Sequence, residues 1–373
     1  MQFFIAYPTH MRVCIHTANL DERDWSIMTQ GAWMQDFPLK APGAAQSTSE
    51  FETQLVAYFK ATYWPGGPIP GGGPMVNTAT FKQYDYSGAR VRLAASIPWG
   101  YPCGPAATQL WGHPRMRQIL ANERFDPEFV GAPVVWQFSS LSGICNTAKG
   151  ALNRETHLKW VRELDASFSA GGVAGQAGQL GAAQNCRFVW PTQQEVATCV
   201  EPETGGGMPS EYVNAVTKMA LLSERRCRWA ASDGQVHPEG RRRVMPHIKS
   251  FLRHRGQHLA WLYLGSSNLS RAAWGEVTGQ GSAVKVTMKS FELGVVFVPS
   301  LLTGINGNAG PLRMVTTVST EAAAAGGRAG VTPDGRCLAL PVPYELSPVP
   351  YNKDDVPWYT HGAPGGGPGA FAL

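Results

Sequence analysis

At 373 residues, with 43% hydrophobic and only 16% charged side chains, the chain has apolar mass for a large core and falls outside the disordered classes. Its net charge of +5 accommodates a polyanionic partner without demanding one. Seven scattered cysteines with no C-x-x-C pair argue against a disulfide framework or a zinc site, and the absence of a signal-type leader or a run of about eighteen apolar residues argues against secretion and membrane insertion.

In chain order, Met1 to Ala6 reads as a buried strand with nothing in front of it, so the expectation is a chain whose true start lies further upstream. Arg12 to His16 (RVCIH) is a short apolar run of central-strand type. Ser49 to Thr62 reads as a helix: Ser49 can cap it, Glu52 follows three residues on, and Phe51, Leu55, Tyr58 and Phe59 keep helical spacing. Residues 65–74 (PGGPIPGGGP) form a loop by composition, and Arg90 to Ile97 is again a strand. A boundary near residue 88 would divide the chain into 1–88 and 89–373. Helices are expected over Arg154 to Phe168, with Glu155 and Lys159 spaced for an ion pair, and over Tyr212 to Arg226. Ala170 to Ala183 and Gly205 to Gly207 read as linkers, and the glycine-rich tail from about residue 362 as disordered.

The passage with the most chemistry is Pro246-His247-Ile248-Lys249 followed by Gly265-Ser266-Ser267-Asn268. A histidine supplies a nucleophile or a proton, while lysine and asparagine donate to oxygens that gain charge in a phosphoryl-transfer transition state. Half of this pattern occurs twice. Arg12 to Leu20 ends in Asn19-Leu20 with Trp25 six residues after the asparagine; Leu259 to Leu269 ends in Asn268-Leu269 with Trp274 at the same interval. Each copy continues to a polar residue within an apolar strand, Gln30 in the first and Glu292 in the second. A partner histidine would satisfy such a buried polar group, so two half-sites brought face to face would enclose one phosphate. Subtracting the spacing of the second copy from Asn19 puts the first lysine at position 0 and the first histidine at −2. His10 lies only nine residues before Asn19, at the wrong end of its strand, and is not a substitute.

At these residues the chain resembles the tyrosyl-DNA phosphodiesterases, a branch of the phospholipase D superfamily. The similar segments are RVCIHTANL with DW and TQGAW, VVWQFSS (Val134 to Ser140), MPHIKSFLR (Met245 to Arg253), WLYLGSSNLSRAAWG (Trp261 to Gly275), SFELGVVFVPS (Ser290 to Ser300) and PVPYELSP (Pro341 to Pro348). The resemblance implies a duplicated α-β-α sandwich with mixed sheets, the site lying between the halves. It implies two-step transfer without metal or other cofactor: one histidine attacks a 3′-phosphotyrosyl phosphorus, and the other protonates the leaving phenol and then activates water. Carried over by position, His247 is the acid/base, Lys249, Asn268 and Asn19 hold the phosphate, and Gln30 and Glu292 orient the histidines. Ser140 and Ser270 match positions that hold DNA phosphates. The expected partner is single- or double-stranded DNA with a 3′ adduct, met by a monomer in the nucleus. With the attacking histidine off the sequence, the chain is expected to be impaired in turnover; a DNA-end-binding pseudoenzyme and another phospholipase D-like nuclease or lipase are the alternatives.

Elsewhere, His16 reads as structural and Trp25 and Trp274 as core residues. Arg225, Arg226 and Arg228 read as an exposed helix face. Arg241 to Arg243 is either a solvated run or an approach to a nucleic-acid backbone, and Trp358 is a candidate for stacking on a base or peptide.

Overall fold

The computed structural model describes residues 2–43, 49–68, 75–102, 110–141, 154–181, 186–207, 224–229, 243–303, 312–323 and 326–358. The first half is a three-stranded antiparallel sheet of β1 (Gln2–Ala6), β2 (His10–His16) and β3 (Ala32–Pro38), with β2 in the centre. Met11, Val13 and Ile15 of β2 share one face with Trp33 and Phe37 of β3. Helix α2 (Glu50–Ala61) adds Phe51, Leu55 and Phe59 to the same buried cluster. Its start is as expected: Ser49 caps it by accepting the Glu52 N–H at 3.1 Å. Between β2 and β3 lies a single short helix, α1 (Glu22–Ser26). β1 departs from the expected buried strand. Among the described residues it pairs with β2 alone, and as an edge it is at best half-buried.

The second half is built on a ten-stranded mixed sheet. Its members include β4 (Arg92–Ser96), β5 (Val134–Gln137), β6 (Arg187–Val189), β7 (Arg226–Cys227), β8 (Ser250–Arg255), β9 (His258–Gly265) and β10 (Glu292–Phe297). β5 is buried at all four residues and β10 at all but Glu292, which is why both read as nearly unbroken apolar runs. β10 joins β9 to β4. The helices α3 (Gly112–Ala121) and α4 (Arg154–Phe168) pack on each other, and Phe168 of α4 meets Trp136, Phe251, Trp261 and Trp274 edge-on at 5.0–6.0 Å. The architecture is the duplicated, mixed-sheet α/β sandwich that the resemblance implied, with unequal halves sharing one continuous apolar cluster.

The repeat is visible in the registers. In the first half Gln2 lies opposite Ile15, four residues before Asn19; in the second, Ser250 lies opposite Leu264, four residues before Asn268. β3 and β10 correspond equally well. His16 faces Ala32, and the Thr17 N–H carries the ladder to Gly31. Gly265 faces Gly294, and the Ser266 N–H carries it to Leu293. One step further, Gln30 and Glu292 fall opposite the residues just before their asparagines, Ala18 and Ser267. The second hairpin has a register shift between Arg253 and His254 that the first lacks. Counting along strands rather than residues therefore moves the counterpart of Lys249 to position 1 and that of His247 to −1, one place later than subtraction gives.

Several local expectations fail for identifiable reasons. Ala170 to Gly181 is not a plain linker, since Gly172–Val173 pairs in parallel with Arg124–Phe125. Gly205 to Gly207 closes a 3₁₀ turn (Pro202–Gly207) in which Gly205, at φ +65°, leaves room for the Trp358 ring. Arg226 stands in β7 over the Tyr351 ring, and Arg228 forms a two-pronged pair with Asp355, so these arginines are not a helix face. Trp25 is 58% exposed rather than core, whereas Trp274 is buried. The α4 helix forms and carries a Lys159–Glu163 ion pair at 3.9 Å; the Glu155 side chain of the expected pair lies outside the described residues. The expected helix over Tyr212 to Arg226 lies mostly, and the tail from 362 entirely, outside the described residues.

Candidate active site at the seam between the repeats

The loop before β3 is laced to the segment before β8. Thr29 donates its N–H to the Met245 carbonyl at 2.8 Å, and its carbonyl accepts the N–H groups of His247 and Ile248 at 3.0 and 2.8 Å. Thr29 Oγ1 adds a bond to the Val244 carbonyl at 3.0 Å. The packing is close: a Cβ on Gly31 would come within 2.6 Å of Leu264 and 2.8 Å of Ile248. These contacts deliver the second repeat's histidine to Gln30, just ahead of the first repeat's β3, across 217 residues of sequence.

Gln30 Nε2 lies 3.2 Å from His247 Nδ1. The amide is held from behind: Thr17 Oγ1 donates to Gln30 Oε1 at 2.7 Å, and Gln30 Nε2 donates to the Asp24 carbonyl at 3.1 Å. Thr17 in turn accepts the Gly31 N–H at 2.9 Å. A carboxylate that sequence reasoning did not single out completes the contact, with Asp24 Oδ2 3.1 Å from His247 Nδ1. Asp24 is 6% exposed and also accepts the Asn19 N–H at 2.5 Å. Asn19 is pinned a second time, its carbonyl accepting from Trp25 Nε1 at 2.7 Å, and it is exposed. A signal for Asp24 was present: five residues after each asparagine the repeats carry different residues, Asp24 in one and Ala273 in the other.

Lys249 is 3% exposed and donates to the His247 carbonyl. Burial pulls its ammonium down to about 7, against the opposing pull of Asp24 and Glu292. Burial also drives His247 below the usual histidine range; Lys249 pushes the same way, while Asp24 and the Thr17 backbone push back. Burial raises the Glu292 carboxyl to about 7, opposed by a Ser266 hydrogen bond and by Lys249. Asn268 Oδ1 accepts the N–H groups of Ser139 and Ser140 at 3.1 and 3.0 Å, which fixes the orientation of the carboxamide. Ser140 thus meets Asn268 through its backbone. Ser270 is 4% exposed and its Oγ caps α5 (Arg271–Trp274), accepting the Ala273 N–H at 3.1 Å. Trp358 is partly buried, packed at Gly205, its N–H donated to Pro191 and its carbonyl accepting from Trp190. Arg243 is committed to the carbonyls of Thr198 and Cys199. His16 is 2% exposed and stacks on Phe3 at 4.7 Å. Among the described residues no group of three or more metal-binding side chains gathers, and no helix is long and apolar enough to cross a membrane.

The family profile for tyrosyl-DNA phosphodiesterase matches residues 1–352. The chain belongs to the tyrosyl-DNA phosphodiesterase family. It is 36% identical to tyrosyl-DNA phosphodiesterase 1 of Arabidopsis thaliana over 372 residues, 95% of this chain and 57% of that protein. With tyrosyl-DNA phosphodiesterase 1 of Drosophila melanogaster it shares 31% identity over 303 residues, 79% of this chain and 48% of that protein. The chain therefore spans about half the length of the curated relatives it matches. Among solved structures, the yeast tyrosyl-DNA phosphodiesterase superposes with a TM-score of 0.62 at 15% identity, covering 96% of this chain and 76% of that one, a likeness of fold.

Proposed function

We propose that the seam is one half of a phosphodiesterase site for DNA ends blocked by a 3′-phosphotyrosyl or related adduct, as in repair of trapped DNA breaks. The observation that supports this most is the crossing of the repeats, Gln30 of the first meeting His247 of the second at 3.2 Å. In this reading Lys249, Asn268 and Asn19 neutralise the phosphate oxygens as charge builds in the trigonal-bipyramidal state. The attacking histidine forms a bond to phosphorus while the tyrosine oxygen leaves. His247 gives the phenolate its proton, then removes one from the water that breaks the phosphohistidine. A DNA substrate makes the nucleus the expected place of action, and a single copy holds both halves of the seam.

The attacker's counterpart falls at −1 by strand register, so residues 1–373 alone supply the acid/base half. Taken alone, they are expected to bind a 3′-phosphotyrosyl oligonucleotide without turning it over. Gel-resolved cleavage and fluorescence-anisotropy binding, each with His247→Gln and Lys249→Met, test this. Robust cleavage that disappears in His247→Gln would overturn the half-site reading. Equal affinity for phospholipid and for the blocked oligonucleotide would overturn the choice of substrate.

A further inference from the structure

We propose that Asp24, rather than Gln30, is the group that sets which nitrogen of His247 carries its resident proton. Resting on the assignment of His247 as acid/base, the inference adds a positioning residue to it. Two groups approach Nδ1: the Gln30 amide at 3.2 Å and the Asp24 carboxylate at 3.1 Å. They make opposite demands, since an amide N–H calls for a lone pair on Nδ1 and a carboxylate calls for N–H there. The Gln30 amide is already bonded at both ends without the ring: one of its two N–H groups donates to the Asp24 carbonyl at 3.1 Å, and its oxygen is tied by Thr17, so the imidazole faces a single neutral N–H. Asp24 Oδ2, 6% exposed in the residue as a whole, has among the described residues the Asn19 N–H and the histidine as its partners. A buried carboxylate left against a lone pair would be the costlier arrangement. Nδ1–H therefore points at Asp24, and Nε2 is the nitrogen that gives and takes the exchangeable proton.

Comparing the repeats explains why sequence alone nominates the wrong residue. Each face of the seam carries one carboxylate and one neutral partner, in exchanged places. In the second repeat the strand position is acidic, Glu292, and the position five after the asparagine is Ala273, 1% exposed. In the first repeat the strand position is the neutral Gln30, and the position five after the asparagine is Asp24. The carboxylate has moved from the strand to helix α1. Because Oδ2 also holds the Asn19 N–H, Asp24 ties the orientation of the histidine to the placement of the phosphate-binding asparagine across the seam.

The test reads the imidazole directly and needs no substrate. Long-range ¹H–¹⁵N spectra of histidine-labelled 373-residue protein, with His247 assigned by loss of its signals in His247→Gln, report the tautomer. The expected result is protonated Nδ1 and unprotonated Nε2 at pH 7; the reverse tautomer would overturn the proposal whatever the variants do. In Asp24→Asn, which keeps an acceptor for Asn19, the titration midpoint of His247 should fall by about 1–2 units, and Gln30→Leu should shift it by less. Asp24 faces the ring with Lys249 and the Thr17 carbonyl; neither variant replaces these groups, and although Asp24→Asn removes the pull of Asp24 on Lys249, that ammonium stays charged in the acid range where His247 titrates. An Asp24→Asn protein with tautomer and midpoint unchanged would leave Asp24 as a turn-holding residue only. Cleavage or binding of blocked DNA has no part in this readout, so the functional assignment can fail while the tautomer result stands.

Discussion

The carboxamide oxygen of Asn268 accepts the backbone N–H of Ser140 at 3.0 Å, and that of Ser139 alongside it. One side chain thus ties down the chain just beyond strand β5. Its structural role and its proposed phosphate-binding role separate by substitution. Asn268→Ala strands two N–H donors and should cost about 1–3 kcal/mol of unfolding free energy in urea titrations. Asn268→Asp keeps the acceptor and should retain most of that stability, yet lose anion binding because it sets a negative charge toward the phosphate. Normal anion affinity in the aspartate variant would count against Asn268 as a phosphate ligand.

Lys249 yields a pH-dependent prediction with a definite sign. Its folded-state value, about 7, lies below the ordinary 10.5. The charged lysine therefore costs stability in full below about pH 7, and the cost lifts as pH rises towards 10.5. Lys249→Met should raise the melting temperature most at pH 6 and least near pH 10. Anion binding runs the other way, since it needs the ammonium. Sulfate, which does not itself titrate here, should lose affinity by up to about tenfold per pH unit above about 7, and Lys249→Met should remove that slope. A flat sulfate profile in the unsubstituted protein would refute it.

How much of this was legible beforehand depends on the kind of interaction. The α2 cap, the central strand β2 and the paired asparagine turns were written in short local patterns, and Gln30 stood out as a polar residue in an apolar surrounding. Trp25 was misjudged because its indole bonds to the Asn19 carbonyl from an exposed position, which apolar periodicity cannot register. Asp24 was missed because its role depends on a histidine 223 residues away. The short strand at Gly172–Val173 was missed because small residues carry no alternation to read; its ladder is set by Arg124–Phe125.

Glu292 mirrors Lys249. Its folded value, about 7, lies above the ordinary 4.5, so the carboxylate's cost is complete above about pH 7 and lifts as pH falls towards 4.5. Glu292→Gln should stabilise the protein by about 1–2 kcal/mol at pH 8 and by little at pH 4.5. Denaturant midpoints across that range check it; a gain that is the same at both ends would show that the buried charge is not its source.

Ser270 separates two readings of one hydroxyl. As the cap of α5, its loss in Ser270→Ala should cost about 1 kcal/mol. Affinity for a 3′-phosphorylated oligonucleotide should stay within twofold of the unsubstituted protein. A tenfold loss of binding with unchanged stability would restore Ser270 as a DNA contact.

The register shift at Arg253–His254 sits near the hairpin end remote from Asn268. The strands on the near side keep identical offsets in both repeats, so one extra residue has been absorbed without moving the turn that carries the asparagine. The exposed first tip, at Tyr7–Pro8, is thus the natural attachment point for a fluorophore or affinity tag that leaves the distances across the seam as they are, whereas the second tip is tied to its neighbour through Gln257 and Thr316.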